Sequence, residues 1–207
     1  MMSKFARARV AASFVLLAPS ACHRPASPVL ASPSCTSATT LSPDARRFLN
    51  VGPAARAAAR TATERKAAIA NQVPGGFAGI YLRSDAYGFV VMLQDTTQRS
   101  AALAVLDTLL PRIYQRSVPV RDALVRPAAW DFSELVAWQH FLTMRVPLGK
   151  DAVMIGLAES ENRIVVGARD ARARDRILRR LNELSVPCGL VVVEVSGPIV
   201  LNGRSGG

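Results

Sequence analysis

Histidine and cysteine are scarce in this sequence of 207 residues, which contains two histidines and three cysteines. One histidine, His140, lies in a segment with helical periodicity, and no serine, histidine and acid can be grouped at a recognisable spacing. The cysteines are scattered and no histidine pair shares a helix face, so zinc-ligand spacings are missing. No glycine-rich phosphate loop follows a strand. We therefore predict a protein that is not an enzyme, with no cofactor, no metal ion, no small-molecule substrate and no catalytic residue.

Long apolar runs are also missing. The N-terminal run Val10–Ala18 has nine residues, whereas a membrane-spanning helix needs about twenty. Basic residues precede this run and Pro19-Ser20-Ala21 follows it, an order that is typical of a secretory signal. We predict a signal peptide over residues 1–22 and an exported protein.

Cys22 stands where a bacterial lipoprotein carries its lipidated cysteine, although Pro19 departs from that pattern. Two alternatives follow. Lipidation of Cys22 attaches the protein to a membrane of the cell envelope, and ordinary cleavage gives a periplasmic or extracellular protein. Residues 23–43 are rich in proline, serine, alanine and threonine and are predicted to form a disordered linker. If Cys22 is lipidated, Cys35 and Cys188 remain as a pair in an oxidising compartment, which allows a disulfide between them.

The net charge of +11 comes almost entirely from arginine, since only three of the 26 basic residues are lysines. A basic balance suits nucleic acid, an anionic membrane or an acidic protein, and selects none of them. Modules that bind RNA place aromatic residues on the exposed face of a sheet, and the strands here offer Tyr81 and Phe89 in one copy and none in the other. We predict no nucleic-acid partner. The arginines near 171–184 are predicted to form a solvated helix face.

One pattern occurs twice along the chain. Ala152–Val195 has the order strand, turn, strand, helix, strand, and Gly79–Leu109 repeats its first part 75 positions earlier. Nine of the thirty ungapped pairs from Ile80 to Leu109 are identical, which favours internal duplication. The predicted fold class is α+β, with two tandem β-β-α-β units, small sheets with helices packed on one face, joined by a helix.

The predicted segments follow from this pattern. An N-terminal helical segment covers 44–73, with solvated helices at about 44–50 and 53–71; the first unit covers 74–128; the linking helix and second unit cover 129–200; a flexible tail covers 201–207. The predicted strands of the first unit are Phe77–Leu82, Phe89–Leu93 and Val118–Val125, with a helix that starts at Asp95-Thr96-Thr97 and either ends or kinks at Pro111. In the second half we predict a helix over Asp131–Arg145, a helix capped by Asp170 and a last strand over Val191–Val195. One face of the first of these helices is lined by Leu135, Trp138, Phe141 and Leu142.

The two hairpins resemble those of a known family. Gly76-Phe77-Ala78-Gly79-Ile80-Tyr81-Leu82 followed by Phe89–Leu93 resembles the first hairpin in the pro-regions of alpha-lytic protease and the streptogrisins. Glu161-Asn162-Arg163-Ile164-Val165-Val166-Gly167 resembles their second hairpin, and Phe132–Trp138 the helix between the two. The resemblance covers about Arg46–Val195 in the same order.

The resemblance implies a function. Such pro-regions assist the folding of a secreted chymotrypsin-like protease and then inhibit it, docking through the second unit and placing the following tail in the active site. Carried over to this chain, the docking surface consists of residues of the second sheet and of the tail: Ile164, Val165, Val166, Val191, Val193, Pro198, Ile199, Val200 and Leu201. No protease domain follows Gly207, so we expect a folding chaperone or inhibitor that acts in trans, or a detached remnant. The alternative is an envelope lipoprotein whose small domain binds another protein or an anionic surface.

Overall fold

The computed structural model describes residues 61–84, 88–114 and 119–197, which form two small sheets with helices packed against them. The fold class is α+β, as the sequence predicts. The helices and strands are, in chain order, α1 (Ala62–Ile69), β1 (Phe77–Leu82), β2 (Phe89–Leu93), α2 (Arg99–Tyr114), β3 (Leu124–Pro127), α3 (Phe132–Arg145), β4 (Ala152–Ala158), β5 (Arg163–Ala168), α4 (Ala171–Glu183) and β6 (Val191–Val195).

Each unit is a three-stranded sheet with the hairpin's second strand in the middle. The first sheet has the order β1-β2-β3 and the second the order β4-β5-β6. In both sheets the first two strands are antiparallel, while the last strand joins the middle one in parallel after a helical crossover. This is the β-β-α-β arrangement that the repeated pattern predicts.

The two hairpins also share an irregularity. In the first, the register shifts between Phe77 and Gly79, and in the second it shifts between Ala152 and Met154. These positions are 75 residues apart, the same spacing that relates the two copies of the sequence pattern. Because β-bulges are specific backbone features, a bulge at the equivalent position supports the duplication.

Each unit has its own core, and α3 contributes to both. In the first core the apolar stripe of α2, including Leu103, Leu106 and Leu110, packs on the inner face of the first sheet. Phe132 and Val136 of α3 belong to this core. The predicted face of α3, Leu135, Trp138, Phe141 and Leu142, is buried in the second core with Ile177 and Leu181 of α4. The linking helix therefore joins the two units through packing.

The structure corrects the N-terminal helix. Thr61 has an extended backbone and caps α1, because its hydroxyl accepts from the backbone N–H of Glu64 and the Glu64 carboxylate accepts from the N–H of Thr61. A capping box of this kind starts a helix, so one helix does not run through 53–71. The prediction that this helix is solvated is also wrong for α1, because its residue Lys66 is buried. Residues 44–60 lie outside the described residues.

Pro111 does not end α2, which continues for three residues to Tyr114. The third strand of the first unit is Leu124–Pro127 rather than Val118–Val125, because Val120 and Ala123 are buried in a turn before the strand starts. Its predicted place at a sheet edge is confirmed.

Candidate functional site

Strands β5 and β6 carry five of the nine residues predicted to dock a partner. Ile164 and Val166 are fully buried in the second core. Val191 and Val193 pair with them in register and pack against the same core. Side chains alternate between the faces of a strand, so these four point toward α3 and α4. Ile164 and Val166 are therefore core residues, Val191 and Val193 are half-buried on the same side of the sheet, and the role of these four residues in docking stays a prediction.

The other face of the second sheet presents a different set of apolar residues. Val165 lies beside Gly156 on β4 and Val192 on β6. Met154 is 41% exposed, and its Cε would lie 3.6 Å from a Cβ placed on Gly156, so its thioether extends across the glycine. We call Met154, Gly156, Val165 and Val192 the outer face. It is an apolar strip on the side opposite to α3 and α4, and it contains one predicted docking residue, Val165.

The remaining predicted site residues lie at or beyond the limits of the described chain. Strand β6 leads toward Pro198, but Pro198–Leu201 lie outside the described residues, as do Cys22 and Cys35. Cys188, in the loop before β6, is disulfide-bonded. The pairing of Cys188 with Cys35 stays a prediction.

The turn between β4 and β5 connects the two units through two side chains. Glu159 forms an ion pair with the buried Lys66 of α1 and accepts a hydrogen bond of 3.3 Å from the backbone N–H of Ile80 on β1. The Lys66 ammonium lies 4.6 Å from the centroid of the Phe132 ring, a cation–π contact. A carboxylate from the second unit therefore binds an N–H on the edge strand of the first.

Asn162 completes this connection. Its side-chain oxygen accepts from the N–H groups of Ala129 at 2.9 Å and Trp130 at 2.8 Å. Its amide nitrogen donates to the carbonyls of Trp130 at 2.8 Å and Ala78 at 3.3 Å. The residue is buried and has a left-handed backbone, with φ 53° and ψ 48°, which asparagine tolerates better than most residues.

We call Lys66, Glu159 and Asn162 the inter-unit lock. Exposed edges of a sheet readily pair with other chains, and here the lock occupies an outward N–H and an outward C=O of β1. The second unit thus protects the edge of the first sheet with side chains instead of a fourth strand. The sequence alone did not indicate this role, because Glu159 and Asn162 occur in what looks like an ordinary polar turn.

Two carboxylates near the second core have pKa values that differ from their ordinary values, one lower and one higher. Hydrogen bonds from Arg176, at 3.0 and 2.8 Å, lower the pKa of Asp151, while burial acts in the opposite direction. The same hydrogen bonds raise the pKa of Arg176. Burial raises the pKa of Glu134 in the first turn of α3, and the charge of Asp131 adds to that rise. Asp151 and Arg176 fasten the loop before β4 to α4.

Cavities are shallow in the described part of the chain. A depression of about 400 Å³ lies between α2 and the turn before β3, lined by residues that include Arg99, Asp107 and Arg121. A second of about 210 Å³ borders Asn162 and Cys188. His140 is exposed on α3 and lines neither depression. The described residues contain no group of three or more potential metal ligands and no helix long and apolar enough to span a bilayer.

No protein family, no curated protein and no solved structure matches this chain. The outer face and the inter-unit lock are therefore the features of the described residues that bear on function.

Proposed function

We propose that this chain is a non-catalytic binding protein that docks on a chymotrypsin-like protease in the manner of a protease pro-region, as a folding chaperone or inhibitor. The observation that carries the proposal is the outer face. It is an apolar strip on the second sheet, formed by Met154, Gly156, Val165 and Val192, and it lies opposite to the side that α3 and α4 cover.

The chemistry of the outer face suits a protein partner. Valine and methionine side chains lose water favourably when another apolar surface covers them, at roughly 25 cal/mol per Å². Gly156 has no side chain, and the flexible thioether of Met154 lies across it, so the strip adjusts its shape to an apolar partner. In the proposal the partner covers this strip, and the segment Pro198–Leu201 that follows β6 enters the protease cleft.

The inter-unit lock supports the proposal in a second way. A folding template has to keep its shape while its client is unfolded, and rigid partners lose less conformational entropy on binding. Glu159 and Asn162 connect the second hairpin to β1, and α3 contributes to both cores. The two units are therefore held in one arrangement before any partner binds.

The proposal is tested with exported chymotrypsin-like proteases from the same source. The full chain is titrated into each active protease to measure inhibition, and into each denatured protease during refolding to measure recovered activity. Val165→Asp places a charge on the outer face, and we expect it to weaken binding about 30-fold or more. The matched control is Leu124→Asp on β3 of the first sheet, where Leu124 is 44% exposed; it should leave binding unchanged.

The same assay distinguishes the contribution of the outer face from that of the segment Pro198–Leu201. Replacement of Pro198–Leu201 by glycine and serine should abolish occupancy of the cleft while the outer face still binds. Inhibition then falls and complex formation persists. If no exported chymotrypsin-like protease is bound, inhibited or refolded by the wild-type chain, the proposal is wrong.

The alternative function, an envelope lipoprotein with a small binding domain, is favoured by Cys22 and by the basic character of the chain. Cell fractionation tests its anchor. A mature protein that leaves the membrane fraction without detergent contradicts lipid attachment. Lipid attachment is supported if the wild-type protein needs detergent for release and the Cys22→Ser variant does not.

A further inference from the structure

A basic surface runs along one side of α4 and around the loop before β4. Residues at 172, 176, 179 and 180 fall on one side of an α-helix at 100° per residue, away from the buried Ile177 and Leu181. All four are arginines. With Lys150 and Arg169 they form what we call the basic edge: Lys150, Arg169, Arg172, Arg176, Arg179 and Arg180.

Contacts place the basic edge beside the loop that follows α3. The guanidinium of Arg176 binds Asp151, Arg180 donates to the carbonyl of Arg145 at 3.5 Å, and Arg169 donates to the carbonyl of Gly149. The helix, the end of α3 and the loop 146–151 therefore form one continuous surface.

Two acidic groups on this surface are engaged, since Asp151 is paired with Arg176 and Glu183 is paired with Arg180 at 2.9 Å. A third, Asp175, is exposed on α4 three residues after Arg172 and four before Arg179, so the basic edge also contains a carboxylate. Within the described residues Arg172 and Arg179 are exposed and form no ion pair or hydrogen bond with the protein. These two guanidinium groups are available to an anionic partner.

Two large apolar side chains are exposed on the segment that the basic edge contacts. Met144, in the last turn of α3, is 57% exposed, and Leu148, in the loop, is 48% exposed. The loop that presents Leu148 is held by backbone hydrogen bonds, including Gly149 N–H to the Ala152 carbonyl at 2.8 Å. The exposure of Leu148 is therefore fixed by the fold.

From these observations we infer that the basic edge, with Met144 and Leu148, is a binding site for an anionic lipid bilayer surface. Aliphatic side chains that enter the headgroup region, flanked by cations that meet lipid phosphates, are the chemistry of peripheral membrane attachment. Single-stranded nucleic acid, the other polyanion to consider, is held by aromatic stacking beside the cations. The exposed apolar residues here are aliphatic, which favours lipid. The inference uses no residue of the outer face and stands independently of the proposed function.

The test is vesicle flotation with the full chain carrying Cys22→Ser, so that a lipid on Cys22 does not contribute. Vesicles of phosphatidylcholine are compared with vesicles of equal parts phosphatidylcholine and phosphatidylglycerol. Residues 1–60 are the same in every variant, so the ratio of the two affinities isolates the effect of each substitution. The wild-type ratio should favour the anionic vesicles strongly and fall as salt rises.

Arg172→Gln combined with Arg179→Gln should lower affinity for anionic vesicles roughly 30-fold, since each cation near the surface contributes about fivefold. The control removes the same charge from exposed residues of the first unit, Arg112→Gln with Arg121→Gln, and should leave binding unchanged. Met144→Ser with Leu148→Ser should lower the affinity about fivefold at unchanged charge.

Three outcomes overturn the inference. The first is equal affinity for the two kinds of vesicle, and the second is an equal loss in the control and the arginine variant. The third is vesicle binding that is insensitive to the apolar substitutions while single-stranded DNA binds more tightly than anionic vesicles, because the surface is then a nucleic-acid site.

Discussion

Replacing Asn162 by alanine removes the side chain that connects the second hairpin to β1 and to the segment before α3. Four hydrogen bonds are lost, two accepted from Ala129 and Trp130 and two donated to Trp130 and Ala78. The backbone groups left behind are partly shielded from water. Alanine also has to adopt the left-handed backbone of this position, with φ 53°.

The magnitude follows from these two effects. A hydrogen bond contributes about 1 kcal/mol net to the free energy of unfolding, so four contribute roughly 4 kcal/mol. Water that reaches the partly exposed groups reduces the loss to about 3 kcal/mol. The left-handed backbone adds about 1 kcal/mol for alanine. We therefore expect Asn162→Ala to lower the free energy of unfolding by about 4 kcal/mol, a large share of the 5–15 kcal/mol typical of a domain.

Asn162→Gly separates the two effects. Glycine loses the same hydrogen bonds but adopts the left-handed backbone without strain, so it should lower the free energy of unfolding by about 3 kcal/mol. The assay is urea denaturation followed by the fluorescence of Trp130 and Trp138 and by circular dichroism. If Asn162→Ala lowers stability by less than about 1 kcal/mol, the lock does not hold the units together. If glycine is worse than alanine, the argument from the backbone is refuted.

Three further predictions concern other contacts. Glu159→Gln leaves Lys66 buried beside a neutral partner and should lower the free energy of unfolding by about 3 kcal/mol, whereas the double variant Lys66→Met/Glu159→Gln should recover part of that loss in the same assay. The pKa of Asp151 is lowered in the folded chain, so its contribution to stability is present above the unfolded pKa and is lost as the pH falls below about 4. In an NMR titration, Arg176→Gln should raise the pKa of Asp151 toward its ordinary value. An unchanged pKa would contradict Arg176 as the cause. Cys188→Ser, or reduction of the wild type, should lower stability by about 2–5 kcal/mol, and peptide mapping without reductant should recover Cys188 linked to another cysteine; a free thiol there contradicts the disulfide.

Much of the fold follows from local patterns. The strands Phe77–Leu82, Phe89–Leu93 and Val191–Val195 are predicted with their observed bounds, because short apolar runs between turn signals leave little choice. The cap at Asp170 and the buried face of α3 follow from side-chain chemistry and helical spacing. The order of elements in two units follows from the repeat.

The errors occur where a local pattern has two readings. Thr61-x-x-Glu64 has the spacing of a capping box, but a surrounding run rich in alanine and arginine suggests an uninterrupted helix. The sequence pattern also places the last strand of the first unit too early. Val120 and Ala123 look like strand residues because they are apolar, but they are buried in the turn before the strand. In both cases tertiary packing decides what propensity leaves open.

The candidate site was predicted only in part. The sequence indicates that β5 and β6 matter, but it does not say which alternate residues face the helices, and Ile164 and Val166 prove to be core residues. The sequence does not predict the lock, because Lys66 and Glu159 are 93 positions apart and no local signal connects them.

Docking of the second sheet on a chymotrypsin-like protease, through the outer face, is the function proposed for this chain. Titration of inhibition measures the affinity of exported chymotrypsin-like proteases from the same source for the wild-type chain, Val165→Asp and Leu124→Asp. We expect inhibition by the wild type and by Leu124→Asp, with a loss of about 30-fold or more for Val165→Asp. Absence of inhibition and binding in all three, or an equal loss in both variants, contradicts it.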